Sequence, residues 1–406
     1  MRTTTAAAGE WRSAWPTVLA AAVGQAFGTS HIYSLGLFIA PLEQQFGWSR
    51  TQITSGYLLL SAVSILSVPM IGTLMDRIGP RRIALPGMIF YCLGLGMLGL
   101  AGPSIWSWWA LWLFISIGCA GASTAVWTTA VASRFDRSRG LAIAVVMFGS
   151  GASSAFIPLL AQALIEQLDW RGAFLGMATV AAIVTIPLLF LGFRGAIDAG
   201  RRLSPDRSSA VATSAVPVRQ MILSSRFIRL AIANFAMMIA SISLVINFVP
   251  IVTGLGIDTT TAAGAASLIG IGSITGRIAT GLLLDRMRAT QVGAVAFAIP
   301  ALLPIALLHF GGNLHIIYPV AFLLGLSLGS EVDIIAYVIS RYFDRARFGT
   351  LFSILVSLQI LAGGIGPSIG SLVYDLHGSY DLLLIGLVPA FALAAVIIAT
   401  LGQPKP

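Results

Sequence analysis

Three charged side chains lie inside long apolar stretches of this sequence, namely Arg277, Glu331 and Asp333. A guanidinium group is a planar fork of N–H donors that matches a carboxylate, and it keeps its charge at any physiological pH. A carboxyl group in apolar surroundings can take up a proton near neutral pH. These residue types could therefore bind a small carboxylate and exchange a proton, or they could form a permanent ion pair with each other.

The spacing of these charges predicts that they lie at a similar depth. Arg277 precedes Asp285 by eight residues and Asp333 precedes Arg341 by eight, and each of these pairs ends where its apolar stretch ends. At a helical rise of about 1.5 Å per residue, both charges lie about 12 Å from the same boundary. Glu331 and Asp333 are two positions apart, so they point in different directions on a helix. We therefore expect at most one of them to face Arg277 squarely, while the other faces a cavity or a helix interface.

The composition places these residues in a membrane. Hydrophobic residues make up 57% of the chain and charged residues only 10%, which excludes most soluble folds. A helix that crosses a bilayer needs about 17–25 mainly apolar residues. Twelve runs meet this need and predict an all-α membrane protein with twelve transmembrane helices: 16–40, 51–75, 83–102, 105–132, 140–165, 172–193, 227–253, 262–284, 291–310, 315–340, 349–373 and 379–402.

The placement of arginine and lysine tests this division into spans, because short cytoplasmic loops carry most basic residues. With both termini in the cytoplasm, all but three of the 24 basic residues fall on the cytoplasmic side. The exceptions are Arg50 and Arg171 on the opposite side and Arg277 within a span. The net charge of +9 is therefore explained by topology and indicates no nucleic-acid partner.

The sequence repeats itself with an offset of 209 residues. Pro41 corresponds to Pro250 and Gly72 to Gly281, which predicts two pseudo-symmetric six-helix bundles. The predicted segments are an N-terminal bundle over 1–193, a cytoplasmic linker over 194–224 and a C-terminal bundle over 225–406. The charges within spans occur only in the second half, so departures from the symmetry indicate where function lies.

Several kinds of site are not indicated by the sequence. Cys92 and Cys119 both fall within predicted helices, so we expect neither a disulfide framework nor a metal cluster. Arg277, Glu331 and Asp333 alone do not form a hydrolytic or metal-binding constellation. We therefore expect no catalytic residues, no metal and no cofactor, and the sequence does not predict an enzyme.

A loop motif follows the second predicted span. It reads Gly72-Thr-Leu-Met-Asp76-Arg77-Ile-Gly79-Pro-Arg81-Arg82 and has a weaker copy, Gly281-Leu-Leu-Leu-Asp285-Arg286. The motif resembles the loop signature of the major facilitator superfamily, in which an acid at a helix end and nearby arginines can latch neighbouring helices in one state of alternating access. We expect conformational gating from Gly72, Asp76, Arg77, Arg81, Arg82, Asp285 and Arg286. The alternative is a basic loop that only orients the protein in the membrane.

Four further segments carry a narrower resemblance, and they are 33–50, 134–140, 169–174 and 331–375. They are similar to the bacterial monocarboxylate transporter and oxalate/formate antiporter branch of that superfamily. The resemblance implies a twelve-helix major facilitator fold and secondary transport of a small organic anion by rocking of the two halves. It also implies a bacterial inner-membrane protein, and we expect a monomer in the lipid bilayer.

Arg277 matches the arginine of the eighth helix that meets the substrate carboxylate in the resembled family. An arginine near the middle of a bilayer costs about 2.5–3.5 kcal/mol to insert, so a compensating role is expected. The resemblance implies that Arg277 binds the carboxylate, and Glu331 or Asp333 would then handle a proton or compete for Arg277. A permanent ion pair without substrate contact is the alternative.

Weaker candidates lie on helices that line the central cavity of the resembled fold or close to it. They are Tyr33, His31, Trp127, Asn247, Tyr337 and Gln359. His31 could also carry a proton, or it could be a neutral hydrogen-bonding group between helices. For Trp127 and Tyr337 the alternative is ordinary helix packing.

The sequence also departs from the resembled families. Oxalate/formate antiporters have a lysine in the eleventh helix, whereas residues 349–373 contain no lysine or arginine. One cation suits a monoanion, so oxalate is not expected. Animal monocarboxylate transporters have a lysine at about the position of Tyr33 and an aspartate at the position of Ser273. Their proton relay therefore cannot be assigned to residues of this sequence. The alternatives are a proton-coupled drug exporter of the same superfamily and a transporter-like receptor that moves no ligand.

Overall fold

The computed structural model describes residues 2–135, 138–195, 198, 218–284, 286–343 and 347–402. Within these residues the regular structure is helical and contains no β-strand, so the predicted all-α fold class is confirmed. In the part of the chain that the structure describes, ten helices are long and apolar enough to cross a membrane. The chain is therefore an integral membrane protein.

Seven α-helices precede residue 193. They are α1 (Arg2–Gly28), α2 (Ser30–Phe46), α3 (Arg50–Ile78), α4 (Arg81–Met97), α5 (Ile105–Gly121), α6 (Thr124–Ala132) and α7 (Arg139–Gly192). A 3₁₀ turn, Leu98–Leu100, follows α4.

Eight α-helices follow residue 217. They are α8 (Val218–Ile222), α9 (Ser225–Gly254), α10 (Thr259–Leu284), α11 (Ala289–Ala298), α12 (Leu302–Phe310), α13 (Leu314–Tyr342), α14 (Phe348–His377) and α15 (Asp381–Ala399). A 3₁₀ turn, Ile299–Ala301, joins α11 to α12.

The ten long helices and the twelve predicted spans differ in how the chain is divided. Helix α7 contains two predicted spans, which meet at Asp169, the one non-helical residue within it. The predicted first span, 16–40, is divided between α1 and α2 at Thr29. The first helix also begins earlier than the predicted span, because α1 starts at Arg2.

The chain forms two compact units. Unit 1 comprises Met1–Trp48 and Leu59–Arg207, and unit 2 comprises Ser49–Leu58 and Ser208–Pro406. The first turns of α3 thus pack with unit 2. The sequence-based bounds of the two bundles and the linker stay a prediction.

The internal repeat is visible in the backbone conformation. Gly47 (φ 67°) and Gly256 (φ 86°) have left-handed conformations and are 209 residues apart. Asp169 (φ 63°, ψ 179°) and Gly378 (φ 71°, ψ 3°), also 209 residues apart, share a positive φ but differ in ψ. A left-handed conformation is costly for most residues other than glycine. The Asp169 carboxylate offsets this cost by accepting hydrogen bonds from the N–H groups of the helix start that follows, at 2.7 and 3.0 Å.

The helices that follow Gly47 and Gly256 are capped in the same way. Ser49 Oγ accepts a hydrogen bond from the N–H of Gln52 at 3.2 Å, and Asp258 Oδ1 accepts one from the N–H of Thr261 at 2.8 Å. The hydrogen bonds from Thr261 lower the pKa of Asp258 below its ordinary value. Ser49 and Asp258 are again 209 residues apart, so the repeat preserves a helix-capping side chain at this position but not the residue type.

The closest helix pairing in unit 2 joins α10 to α13 through four glycines. Gly272 and Gly276 of α10 and Gly325 and Gly329 of α13 each lie directly against a backbone carbonyl of the other helix. A Cβ atom at any of the four would overlap that carbonyl group. The carbonyls belong to Phe322, Leu326, Ile269 and Ser273, respectively. Small residues spaced by four positions let membrane helices approach closely, and here both helices supply them.

We expect Gly276→Ala to destabilise the protein, because the new methyl group meets the Leu326 carbonyl. Overpacking of this kind costs about 1–3 kcal/mol. Gly264→Ala is the matched control on the same helix, where a Cβ meets nothing within 4 Å. Thermal unfolding of the two variants in detergent should separate them. Equal stability of both would show that α10 and α13 do not pack this closely.

Candidate functional site

The centre of the candidate site is an ion pair between α10 and α13 within unit 2. Arg277 Nη1 donates a hydrogen bond to Asp333 Oδ1 at 3.2 Å. The Arg277 side chain is 12% exposed and that of Asp333 is 34% exposed. The arginine is thus largely enclosed, while the carboxylate that neutralises it remains accessible.

A second polar contact fixes the register of the same two helices. Thr280 Oγ1 donates to Ser330 Oγ at 2.6 Å, and Ser330 Oγ donates to the Leu326 carbonyl at 2.7 Å. Both side chains are buried. Thr280 lies one turn after Arg277, so this contact and the glycine contacts together hold Arg277 at a fixed height beside Asp333. Neither Thr280 nor Ser330 was a predicted site residue, because hydroxyl residues are common in membrane helices.

Glu331 takes part in a separate hydrogen-bonded group. Its side chain is 2% exposed, and Gln359 Nε2 donates to Glu331 Oε1 at 3.1 Å. Gln359 Nε2 is also 2.9 Å from Asn234 Oδ1, and Asn234 Nδ2 donates to the Leu355 carbonyl at 3.2 Å. This group joins α9, α13 and α14. The structure therefore places Glu331 and Asp333 in different surroundings, as their two-residue spacing requires.

Asn234 is a member of this group that the sequence analysis did not identify. It lies in an apolar run of α9 and is fully buried. A buried asparagine needs a hydrogen-bond partner, which is a signal in itself. Nothing in its sequence spacing connects it with Glu331, because the partners come from two other helices.

Asn247, a predicted substrate contact, is fully buried at another junction in unit 2. Its Oδ1 accepts hydrogen bonds at 3.2 Å from Ser371 Oγ and from Tyr380 OH. Arg50 Nη1 donates to Tyr380 OH at 3.1 Å. Burial raises the pKa of Tyr380 to about 12, although Arg50 acts in the opposite direction, so the hydroxyl keeps its proton and donates. This placement supports a packing role for Asn247, and its contact with substrate stays a prediction.

His31 is buried in unit 1 beside Tyr91. His31 Nδ1 is 3.2 Å from Tyr91 OH, which is also 2.8 Å from Ser30 Oγ. The ring of His31 contacts Trp112 edge to face, with centroids 6.1 Å apart. These contacts fit a hydrogen-bonding group between helices, and a role in proton or substrate binding stays a prediction.

The remaining cavity candidates lie in different surroundings. Trp127 is fully buried, its indole N–H donates to the Ala122 carbonyl at 2.9 Å, and its ring packs against Gly24 and Phe193. Tyr33 is half-buried in α2. Tyr337 is half-buried near the end of α13. Substrate contacts of Trp127, Tyr33 and Tyr337 stay predictions.

The gating motif is described only in part. In unit 1, the N–H of Arg81 donates to Asp198 Oδ2 at 3.2 Å, and its guanidinium donates to the Phe190 carbonyl. The other described members lie at half-buried or exposed positions: Gly72, Arg77, Arg82 and Arg286. Asp285 and the side chain of Asp76 lie outside the described residues. The contact of Arg81 with Asp198 was not predicted, because Asp198 falls in the segment assigned to the linker.

Many apolar helices in two units define a polytopic helical membrane protein, and unit 2 contains the Arg277–Asp333 ion pair. The sequence profile described as Major Facilitator Superfamily matches residues 17–367. The chain belongs to this family.

Curated relatives share low identity over most of the chain. The monocarboxylate transporter 13 of Rattus norvegicus is 26% identical over 395 residues, which cover 94% of this chain and 86% of the relative. An agnestins efflux protein of Paecilomyces divaricatus is 23% identical over a region that covers 81% of this chain and 73% of the relative.

A solved structure shows the same fold. The D-xylose-proton symporter has a TM-score of 0.74 and 15% identity, with 95% of this chain and 97% of that chain covered. Together with the family match, this likeness identifies the overall architecture as that of a major facilitator transporter.

A double-mutant cycle should measure the coupling of Arg277 to Asp333. We expect the destabilisation of Arg277→Gln and Asp333→Asn to be non-additive by about 0.5–3 kcal/mol, since either single change leaves the other group without its partner. The control cycle combines Arg277→Gln with Glu331→Gln and should be additive within about 0.5 kcal/mol. Denaturant unfolding in detergent provides the free energies. Stronger coupling to Glu331 than to Asp333 would contradict the assignment.

Proposed function

We propose that this protein is a secondary active transporter of a small organic anion, a monocarboxylate, that moves its substrate together with a proton by alternating access. The observation that carries the proposal is the Arg277–Asp333 ion pair, in which an enclosed guanidinium meets an accessible carboxylate. A substrate carboxylate has the same shape and charge as the Asp333 carboxylate that is paired with Arg277. The similarity to a protein named monocarboxylate transporter 13 supports the same substrate class.

Substrate binding then becomes a competition for one cation. A carboxylate substrate replaces Asp333 on the guanidinium fork and leaves the aspartate without its counter-ion. Protonation of Asp333 removes the competing charge and frees Arg277. Binding is therefore linked to a proton, and the substrate anion and the proton together carry no net charge across the membrane.

Glu331 is the second candidate for the transported proton. Its carboxyl group is buried, with Gln359 as a hydrogen-bond partner and without the direct contact to a guanidinium that Asp333 has. Since an uncompensated buried charge is unfavourable, this environment favours the protonated carboxyl group. If Glu331 holds the transported proton, Asp333 governs only the access to Arg277.

The proposed setting is the bacterial cytoplasmic membrane, with both termini in the cytoplasm and a monomer as the working unit. The concentration of arginine on one side of the predicted spans supports the cytoplasmic orientation of the termini.

The second candidate function is export of a larger organic compound. The similarity to an agnestins efflux protein is the observation that favours it. An exporter of this kind would not require a carboxylate on its substrate, so the two functions differ in how they depend on Arg277.

A thermal-shift panel distinguishes these functions without prior choice of substrate. Lactate, pyruvate, formate, glycolate and aromatic monoacids are added to the purified protein at an acidic and a neutral pH. We expect one of them to raise the melting temperature, more strongly at acidic pH, because a ligand stabilises the state to which it binds. Arg277→Gln should lose the shift. Asp333→Asn should keep the shift at both pH values, since the competitor of the substrate is gone.

The matched control for the panel is Arg219→Gln, which removes a charge at an exposed position of α8 and should behave as the wild type. If no acid shifts the wild type, or if Arg277→Gln responds like Arg219→Gln, carboxylate binding at Arg277 is excluded. Hydrophobic compounds are then the next ligands for the same assay.

Proton coupling is tested by uptake into proteoliposomes. A gradient of one pH unit should drive about tenfold accumulation if one proton accompanies each anion. Glu331→Gln should abolish this accumulation if Glu331 holds the transported proton, and Asp333→Asn should abolish it if Asp333 does. Either variant should retain exchange of internal for external substrate, because exchange needs no net proton movement. Gln162→Leu is a control that also alters a buried polar side chain, in unit 1. Wild-type uptake that is independent of the pH gradient would rule out the coupling.

A further inference from the structure

A cavity of about 360 Å³ lies in unit 2 where α10 and α13 end and α11 begins. Arg286 and Arg288 lie in the connection between α10 and α11, and Arg341 lies in the last turn of α13. Tyr337 and Tyr342 form an aromatic part of the wall. The remaining described lining residues are Met287, Ala289, Thr290 and Gly402.

Among the residues that the structure describes, all the charged side chains that line this cavity are positive. Its lining contains three arginines and no aspartate or glutamate, while Asp285 and Asp344 lie outside the described residues. Cations gathered in a concave site repel one another and attract an anion. The guanidinium group is the side chain best matched to phosphate, because its N–H donors can bind two oxygens at once.

The start of α11 adds further donors to the same cavity. Its N-cap residue, Arg288, provides no side-chain hydrogen bond to the helix, and the first two helical residues, Ala289 and Thr290, line the cavity. The first turn of a helix has N–H groups without partners in the helix, and it carries a partial positive charge. An anion beside it satisfies both features.

Aromatic rings and Gly402 shape the wall. Arg341 Cζ lies 5.8 Å from the centroid of the Tyr337 ring, and Arg226 Cζ lies 6.0 Å from that of Tyr342. Tyr342 OH donates a hydrogen bond to the Gly402 carbonyl at 2.6 Å. Arginine and tyrosine at helix ends are typical of the level at which lipid headgroups lie.

We propose that this cavity binds a phosphate group through Arg286, Arg288, Arg341 and the start of α11. The phosphate can belong to an anionic phospholipid headgroup or to a soluble phosphate compound, since both present the same oxygens to the arginines. A bound phosphate joins the ends of α10 and α13, the helices that carry Arg277 and Asp333. The proposal does not rest on the transported substrate or on proton coupling.

The experiment uses the full-length purified protein and two phosphate sources. Inorganic phosphate and pyrophosphate are titrated into the protein in detergent, and phosphatidylglycerol is compared with phosphatidylcholine in nanodiscs. The readouts are the melting temperature and, for lipids, the molecules retained in native mass spectrometry. The variants are Arg288→Gln combined with Arg341→Gln, and Arg341→Lys alone, and Arg219→Gln is the control for loss of one positive charge outside the cavity.

We expect wild type and Arg219→Gln to bind phosphate alike, and the double variant to bind about a hundredfold more weakly, since each charge-assisted contact contributes about tenfold. Arg341→Lys keeps the charge without the planar fork and should bind with intermediate affinity, which keeps the test valid if the double variant does not fold. Stabilisation by phosphatidylglycerol alone identifies a lipid site, and stabilisation by free phosphate identifies a soluble ligand. Failure of both sources, or equal binding by all variants, overturns the proposal.

Discussion

The contact of the α10 and α13 backbones at four glycines is the constraint on which the candidate site depends. Helices with larger residues at these positions would lie further apart, and the side chains of Arg277 and Asp333 would then meet differently or not at all. The same contact brings Thr280 to Ser330 and gathers the ends of both helices around the arginine-lined cavity. One steric feature thus determines an ion pair, a hydrogen bond and a pocket.

Buried polar groups in unit 2 occur in clusters because each must find its partners inside the protein. Glu331 is reached by Gln359, which also contacts Asn234, and Asn247 is reached by Ser371 and Tyr380. Each cluster joins residues from three parts of the chain. These clusters hold unit 2 together by directional contacts that lipid tails cannot replace.

The sequence was sufficient to predict the class of fold and the similar depth of Arg277 and Asp333, because both follow from hydropathy and from helical rise. It also indicated that Glu331 and Asp333 must have different neighbours. It could not identify those neighbours, since Gln359 and Asn234 meet Glu331 only through helix packing. The left-handed conformation of Asp169 was open to prediction, because its repeat position holds Gly378. The packing of Trp127 against Gly24 could not be predicted from the sequence, since it depends on the distance between two helices.

The glycine contact has a consequence for how the ion pair can open. Because the backbones of α10 and α13 already touch, and four carbonyl groups fill the space between them, sliding or tilting of one helix against the other meets steric resistance. Arg277 and Asp333 therefore separate by rotation about side-chain bonds. The long arginine side chain has more such bonds than aspartate. Asp333 is the more exposed of the two partners, so its side chain has the more open space into which it can turn. The ion pair can then open by a local torsional event that leaves the backbones of α10 and α13 in place.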